Sequence, residues 1–474
     1  MTRQFPADFL FGAATAAYQI EGAAFEGGRT ASIWDAFSRV PGAVIGADNG
    51  DVACDHYHRY RDDVALMREM GLESYRFSTS WSRVRPDGGA ANPEGVDFYS
   101  RLVDELLEAG IKPWLTLYHW DMPQTLEEKG GWTSRDTVDR FVEYALTLHD
   151  ALGDRVTTWT TLNEPWCSSF LSYTAGVHAP GRQRVRDGLL ASHHLLLAHG
   201  ETVRELRARD ADVDAGLTLN LTLADPVDPS DPDDVDAARR INGQFNRWFL
   251  DPIAHGAYPA DIVEDIRAVD ADAVAEFERA VRPGDLESIS APIDFLGVNY
   301  YHGEAVSGRA PEAAPPGGDA ETGRAVSSPY PSNAGIFWHD RGLERTNMGW
   351  DVQPEGLTRL LELVGDELPG VPIYITENGA AFDDEVVAGE IDDPERTSYL
   401  LSHLSATLDA IDRGVDVRGF FYWSLFDNYE WAWGYGKRFG IVHVDYETQK
   451  RTVKRSGLTY RDVIAARALA AVAA

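Results

Sequence analysis

The sequence contains two cysteines, Cys54 and Cys167, among 474 residues. This number excludes a disulfide framework and a cysteine-rich metal site. Lysine is also scarce, because five of the 43 basic residues are lysines and the rest are arginines. No apolar run approaches the length of a membrane-spanning helix, and no glycine-rich phosphate turn follows an early strand. These absences oppose a membrane protein and a nucleotide-binding, doubly wound sheet.

Acidic side chains outnumber basic ones by 76 to 43, so the formal net charge is −33 at pH 7. This charge opposes binding to nucleic acids and anionic membranes, because both require a basic protein surface. The excess of carboxylates reflects either salt adaptation or the base composition of the coding DNA. Residues 1–22 lack the order of charged, apolar and small residues of a secretory signal. We therefore expect a cytoplasmic protein, or a mature form whose signal is missing.

Eight short, β-rich runs alternate with segments of helical periodicity, as in parallel βα units. One of the helical segments, 96–109, has its apolar residues on one face. The sequence predicts an α/β fold with a single catalytic (β/α)8 barrel domain over residues 1–474, with long βα loops. The eight predicted strands are residues 9–13, 74–80, 113–119, 157–163, 216–221, 295–300, 373–376 and 419–423.

Two irregular segments interrupt this alternation. Residues 225–236 are rich in aspartate and proline but lack the turn glycine and terminal glutamate of a calcium loop, so we predict a solvated loop. Residues 303–335 are rich in proline, glycine and alanine, and this composition predicts a long loop on the barrel rim. We predict no metal site and no cofactor.

Carboxylates stand at the ends of two predicted strands. The fourth strand ends in Asn163-Glu164-Pro165, and the seventh leads into Glu377 before a glycine turn. Because the carboxyl ends of barrel strands form the active face, Glu164 and Glu377 are expected to face each other. Such a pair suits glycosidic bond cleavage, in which one carboxyl protonates the leaving oxygen and the other attacks or activates water. Each glutamate taken alone also fits a helix cap or a rim salt bridge.

The residues near the other strand ends favour the catalytic interpretation. His119 and Trp120 end the third strand, Arg76 lies in the second, Gln19 follows the first, and Trp423 ends the eighth. Sugar sites use aromatic rings to cover the apolar side of the pyranose, and polar side chains to bond its hydroxyls.

With these residues the chain resembles glycoside hydrolase family 1, the β-glucosidase family. The resemblance runs from residues 9–22 to residues 446–451. Its most specific motifs are Thr161-Leu162-Asn163-Glu164-Pro165, Ile375-Thr376-Glu377-Asn378-Gly379, Tyr118-His119-Trp120 and residues 423–431.

The resemblance implies a retaining mechanism with Glu164 as acid/base and Glu377 as nucleophile, and a carboxyl separation of about 5–5.5 Å. We expect Arg76 and Tyr301 to keep Glu377 ionised, and the nearby charge of Glu377 to raise the pKa of Glu164. Trp423 is implied as the platform beneath the sugar and Trp350 as the platform for the leaving group. The full set of implied sugar-binding residues is Gln19, His119, Trp120, Asn163, Asn299, Tyr301, Trp350, Trp423, Glu430 and Trp431.

The expected substrate is a small neutral β-glycoside. Glu430 opposes 6-phosphorylated sugars, because a carboxylate repels phosphate and accepts hydrogen bonds from free hydroxyls. Unphosphorylated β-glucosides are therefore favoured, with galactosides and fucosides as secondary substrates. Glu164 argues against the plant thioglucosidases, which have glutamine at that position. A transglycosidase and a catalytically silent sugar-binding barrel are the alternatives, and the sequence indicates no oligomeric state.

Overall fold

The protein is described from a computed structural model that covers residues 2–311 and 323–469. Eight parallel strands form a closed barrel in which each strand pairs with its neighbours in sequence and the eighth pairs with the first. This architecture confirms the predicted barrel. The strands are β1 Leu10–Ala14, β2 Ser74–Ser78, β3 Lys112–Tyr118, β4 Thr158–Asn163, β5 Asp214–Asn220, β6 Phe295–Asn299, β7 Ile373–Asn378 and β8 Val417–Trp423.

Helices connect the strands. Those of eight or more α-helical residues are α1 His56–Glu69, α2 Pro93–Glu108, α3 Asp136–Leu152, α4 Val185–Arg209, α5 Pro232–Asn242, α6 Trp248–His255, α7 Ala260–Val269, α8 Ala271–Ala280, α9 Pro354–Glu367, α10 Pro394–Asp412 and α11 Arg455–Ala466. Two π-helical segments, Cys167–Ala175 and Gly243–Arg247, lie in the long loops. Shorter α-helical segments are Ala17–Ile20, Ile33–Phe37, Trp81–Val84, Gln124–Glu127 and Asp285–Ile289.

Short strands outside the barrel form small sheets. The pairs are Arg3–Gln4 with Ala468–Leu469, Val386–Val387 with Glu390–Ile391, and Val442–Val444 with Arg451–Val453.

The predicted and observed strands agree to within two residues at each end. The differences occur at both ends of the strands, and those at the carboxyl ends lie where the backbone leaves the sheet to form the rim loops. His119 therefore lies one residue beyond β3, and Tyr301 lies two residues beyond β6. The predicted helix 96–109 corresponds to α2, in which Pro93 occupies the first turn, a position that needs no backbone N–H.

The prediction of a loop over residues 225–236 is wrong in part. Residues Ala224–Pro226 form a strand, and α5 begins at Pro232. The side chain of Asp231 caps this helix by accepting a hydrogen bond from the backbone N–H of Asp233. Asp234 is buried, and its carboxylate accepts a hydrogen bond from the backbone N–H of Asp228 at 2.9 Å. Asp231 and Asp234 therefore cap and fix local structure, whereas Asp228 and Asp233 remain exposed to solvent as predicted.

The prediction of an irregular loop over residues 303–335 also needs correction. Residues Glu304–Ser307 form a strand between Ala224–Pro226 and Phe337–Trp338, and the three make a small sheet at the rim. Residues 312–322 of this segment lie outside the described part of the chain.

Aromatic rings fill the inside of the barrel below the strand ends. Trp114 on β3 contacts Phe295, Tyr374 and Phe421 edge to face, with ring centroids 4.8, 4.9 and 5.0 Å away. Its indole N–H donates to Thr160 Oγ1 at 2.8 Å. Edge-to-face contact and a satisfied indole make this cluster a rigid floor for the site above it.

Replacing Trp114 tests this floor. Trp114→Ala is expected to lower the free energy of unfolding by about 3–5 kcal/mol, because a buried indole is lost and a cavity remains. Urea denaturation followed by circular dichroism measures the change. Leu107→Ala on α2 is the control, since Leu107 is 42% exposed and its loss should cost less than about 0.5 kcal/mol. Equal losses in both variants would contradict the packing role of Trp114.

Candidate active site

Glu164 and Glu377 both lie at the carboxyl end of the barrel. Glu377 is part of β7, whereas Glu164 follows the last residue of β4. Both side chains are buried, with 6% and 2% of their surface exposed. The backbone of Glu164 has a φ of +49°, a left-handed conformation that costs a residue with a side chain about 1–3 kcal/mol. Such strain at a buried carboxyl is typical of functional positions.

Two donors hold the carboxylate of Glu377. Arg76 Nη1 donates to Oε1 at 2.6 Å, and the hydroxyl of Tyr301 donates to Oε2 at 2.6 Å. The guanidinium of Arg76 is itself buried on β2. A buried ion pair with further hydrogen bonds favours the charged form of the acid.

Glu164 has different partners, which are neutral. Asn299 Nδ2 donates to Oε1 at 2.7 Å, and the thiol of Cys167 lies 3.1 Å from Oε2. The Oδ1 atom of Asn299 accepts from the hydroxyl of Thr376 at 2.8 Å, which fixes the orientation of the amide. Glu164 is therefore held by neutral donors, whereas the cation Arg76 contacts Glu377.

Asn163 connects the two sides of the site. Its Oδ1 accepts hydrogen bonds from Arg76 Nη2 at 2.6 Å and from Asn299 Nδ2 at 3.1 Å. Its Nδ2 therefore faces His119 Nε2, at 3.1 Å. Because Nε2 accepts this hydrogen bond, the proton of a neutral His119 is on Nδ1. Burial and the charge of Arg76 lower the pKa of His119 well below its usual range, so the neutral ring is the stable form.

The same contacts determine which of the two glutamates carries the negative charge. Burial raises the pKa of Glu164, and the charge of Glu377 raises it further. Burial also raises the pKa of Glu377, but the ion pair with Arg76 and the hydrogen bond from Tyr301 oppose that effect. The first proton bound by the pair therefore resides on Glu164, and the negative charge resides on Glu377.

Polar atoms without partners point to a hydrophilic ligand. Gln19 Oε1, His119 Nδ1 and Glu430 Oε2 are buried and have no hydrogen-bond partner within residues 2–311 and 323–469. The other end of the Gln19 amide is held, because Nε2 donates to Asn428 Oδ1 at 3.1 Å and to the carbonyl of Tyr429 at 2.8 Å. Buried polar atoms cost free energy unless a partner satisfies them, and sugar hydroxyls supply both donors and acceptors.

Glu430 is a third carboxyl in the region. Burial, together with the charges of Glu377 and Glu164, raises the pKa of Glu430 to about 8. A carboxyl at this position therefore binds a proton more readily than an exposed glutamate, and in either protonation state it is able to accept hydrogen bonds.

Aromatic rings surround these polar groups. His119 stacks between Trp423 and Trp431, with ring centroids at 5.7 and 5.9 Å and interplanar angles of 18° and 19°. Trp120 contacts Trp431 at 4.5 Å, and its indole N–H donates to the carbonyl of Asn163 at 2.9 Å. The flat, apolar surfaces of these rings suit the face of a pyranose.

Trp350 lies near Glu377, the nucleophile candidate, and contacts it through Tyr301. Its ring contacts Tyr301, the donor to Glu377, at 5.3 Å and stacks on His302 at 5.0 Å. The indole is partly exposed, unlike the buried rings of Trp423 and Trp431. Its position fits a contact with the part of a ligand that extends toward solvent.

A cluster of buried charges fixes the loop that carries Glu430. Asp427, in the same loop, accepts a hydrogen bond from Lys454 Nζ at 2.7 Å. Lys454 also pairs with Asp384, and Asp384 pairs with Arg396 of α10 at 2.8 Å. These side chains are buried and paired, so the loop after β8 is tied to the loop after β7.

Cys167 and Asn428 are site residues that were not predicted from the sequence. Cys167 lies three residues after Glu164 in the helical segment that follows β4, and this spacing was a usable signal, because such residues share a helix face. Asn428 fixes Gln19 from 409 positions away. No local pattern indicates that contact.

Comparison with known proteins identifies the family. The model of glycosyl hydrolase family 1 matches residues 1–469. The chain belongs to this family. Among its relatives, the thermostable β-glucosidase B of Thermobispora bispora is 49% identical over 462 residues, which cover 97% of this chain and 90% of the relative. The bifunctional β-D-glucosidase/β-D-fucosidase of Bifidobacterium breve is 45% identical over 478 residues, which cover 98% of this chain and 99% of the relative.

Solved structures agree with this assignment. The psychrophilic β-glucosidase of Micrococcus antarcticus superposes with a TM-score of 0.95 at 55% identity, covering 98% of both chains. The family, the (β/α)8 barrel and the glycosidase class predicted from the sequence are confirmed. In the described ranges, no group of three or more His, Cys, Asp or Glu side chains is placed to hold a metal ion. No helix there is long and apolar enough to cross a membrane.

Removing the charge of Glu377 tests the coupling of the two carboxyls. In Glu377→Gln the pKa of Glu164 is expected to fall by about one pH unit or more, because the repelling charge is gone. Carbon-13 NMR of enzyme labelled at glutamate carboxyls measures this pKa, and Glu164→Gln identifies the resonance. Glu127→Gln is the control, because Glu127 is buried against Arg182 and Tyr173. An unchanged pKa in Glu377→Gln would contradict the coupling.

Proposed function

We propose that the protein is a retaining β-glucosidase that releases terminal non-reducing β-D-glucosyl residues from cello-oligosaccharides and from aryl or alkyl β-glucosides. The observation that carries the proposal is the pair Glu164 and Glu377, two buried carboxyls at one barrel end, of which Glu377 is paired with a cation and Glu164 contacts neutral donors. Membership of family 1 and the β-glucosidases among the relatives support it. In this proposal the whole chain, residues 1–474, is one catalytic domain.

In the first step Glu164 acts as acid and Glu377 as nucleophile. The proton of Glu164 passes to the glycosidic oxygen while the bond from that oxygen to C1 breaks. The carboxylate of Glu377 forms a bond to C1 on the opposite face, and the aglycone leaves as an alcohol. Arg76 and Tyr301 hold Glu377 charged and oriented until the bond forms.

In the second step Glu164 acts as base. Esterification removes the charge of Glu377, so the pKa of Glu164 falls. The carboxylate of Glu164 takes a proton from water as the water oxygen attacks C1 and releases Glu377. Two inversions at C1 give a β-configured product. An alcohol in place of water gives a transglycosylation product, and product ratios with and without added alcohol separate the two activities.

Glucose binding is assigned to the polar and aromatic groups around the pair. Asn163 lies beside Glu164 and is proposed to hold the 2-hydroxyl, a contact that strengthens in the oxocarbenium-like transition state. Trp423 is the platform beneath the ring, and Trp350 contacts the leaving group. Gln19, His119 and Glu430 bond the remaining hydroxyls, Trp120 and Trp431 line the pocket, and Asn299 and Tyr301 orient the two carboxyls.

Selectivity for unphosphorylated sugars is assigned to Glu430. A carboxyl at this place bonds free hydroxyls and disfavours a dianionic phosphate. β-Fucosides and β-galactosides are secondary candidates, and the fucosidase activity in the name of the Bifidobacterium breve relative favours the first. A silent sugar-binding barrel is disfavoured by the presence of both Glu164 and Glu377. A role in cellulose degradation and a cytoplasmic location stay predictions.

Covalent labelling tests the nucleophile. After incubation with a 2-fluoro-β-glucoside carrying a good leaving group, we expect a 2-fluoroglucosyl label on Glu377, because the fluorine slows the second step more than the first. Peptide mass mapping locates the label. A label on another residue, or no label despite turnover of ordinary aryl glucosides, would contradict the mechanism.

Chemical rescue tests the acid/base role. Glu164→Ala is expected to reduce kcat by about 10²–10⁴-fold, because both proton transfers lose their catalyst. With an activated aryl glucoside, azide should restore turnover, since this anion attacks C1 without a base. NMR of the product should show β-glucosyl azide. Glu377→Ala is the matched variant, in which direct attack on the substrate gives the α-azide; a β-azide from that variant would contradict the two assignments.

A further inference from the structure

The thiol of Cys167 is a direct neighbour of the acid/base candidate. Cys167 Sγ lies 3.1 Å from Glu164 Oε2, the oxygen that Asn299 does not contact. Asn220 Nδ2, at the end of β5, lies 3.5 Å from the same sulfur. The side chain of Cys167 is buried. An amide, a thiol and a carboxyl therefore form a chain of three groups that ends on Glu164.

The backbone fixes the position of this thiol. Cys167 begins the π-helical segment Cys167–Ala175, and the N–H of Ser168 donates to the carbonyl of Glu164 at 3.2 Å. Glu164 and Cys167 thus face each other across the first helical turn, as residues three apart do. A side chain at position 167 is held against the carboxyl by main-chain geometry.

The direction of the hydrogen bond follows from the partners. The amide nitrogen of Asn220 is a donor, so it uses a lone pair of the sulfur and leaves the S–H for Glu164. Burial and the charge of Glu164 raise the pKa of the Cys167 thiol well above its usual range. The group therefore remains a protonated donor over the working range of the enzyme, and it opposes the effect of burial on Glu164.

We propose that Cys167 is a positioning residue whose S–H hydrogen bond orients Oε2 of Glu164 and favours its carboxylate form, the form that acts as base in the second step. The acid form receives no such benefit, because its own proton competes for the same oxygen. This inference rests on the acid/base role of Glu164 in the proposed function. The thiol thereby opposes burial and the charge of Glu377, both of which favour the acid form of Glu164.

Other charged and titratable groups also face Glu164, and they remain in place when Cys167 is replaced. They are Glu377, Arg76, Tyr301 and Glu430. A difference between variants at position 167 therefore reports on the thiol donor.

The test is the pH profile of kcat/KM for 4-nitrophenyl β-glucoside in Cys167→Ala and Cys167→Ser. Without a donor, the pKa of Glu164 rises, so Glu164 stays protonated to higher pH. The alkaline limb of Cys167→Ala should move upward by about half a pH unit, because the S–H is a weak donor and its loss costs less than the loss of an ordinary hydrogen bond to a charged group. Cys167→Ser supplies a hydroxyl donor and should show a smaller displacement. An unmoved limb in Cys167→Ala, or equal displacement in both variants, would overturn the proposal.

Two further variants complete the experiment. Cys54→Ala removes the other buried thiol, which contacts the carbonyl of Asp427 at 3.1 Å, and should leave the limb in place. Glu164→Ala should lose the alkaline limb altogether. A limb that persists in Glu164→Ala refutes the proposed role of Glu164. A limb that disappears there but keeps its wild-type position in Cys167→Ala refutes the role of Cys167 alone.

Discussion

The ion pair between Arg76 and Glu377 is the interaction on which the site depends. Two carboxyls buried at the same end of the barrel repel each other, and burial favours the neutral form of each. Arg76 places its charge 2.6 Å from Glu377, and its second nitrogen donates to Asn163 at 2.6 Å. The charge therefore stays on Glu377, the proton stays on Glu164, and the amide of Asn163 is turned toward His119.

The barrel gives these contacts their rigidity. Glu377 and Asn299 lie on neighbouring strands above an aromatic floor around Trp114, and the hydroxyl of Thr376 bonds the amide of Asn299. His119 and Glu430, which are assigned to sugar binding, lie on loops instead. The loop with Glu430 is tied down by the buried pair of Asp427 and Lys454. Groups that must move protons thus lie at strand ends, where small displacements are resisted by packing.

Much of this arrangement was predictable from local patterns. The eight strands were located to within two residues, because helix-covered parallel strands read as short apolar runs. The motifs around Glu164 and Glu377 indicated the chemistry, since a carboxylate at the carboxyl end of a barrel strand is expected on the active face of the barrel. The loop prediction over residues 225–236 was wrong in part, because the capping role of Asp231 was not recognised.

The sequence by itself determined the barrel, the family and the residues that end its strands, because strand periodicity and motif spacing are encoded locally. The tertiary structure decided which of two similar glutamates receives the cation, how the amides of Asn163 and Asn299 are turned, and that Asn428 holds the amide of Gln19. Proton affinities depend on charges and donors within a few ångströms, and those neighbours come from distant segments that meet through folding of the chain.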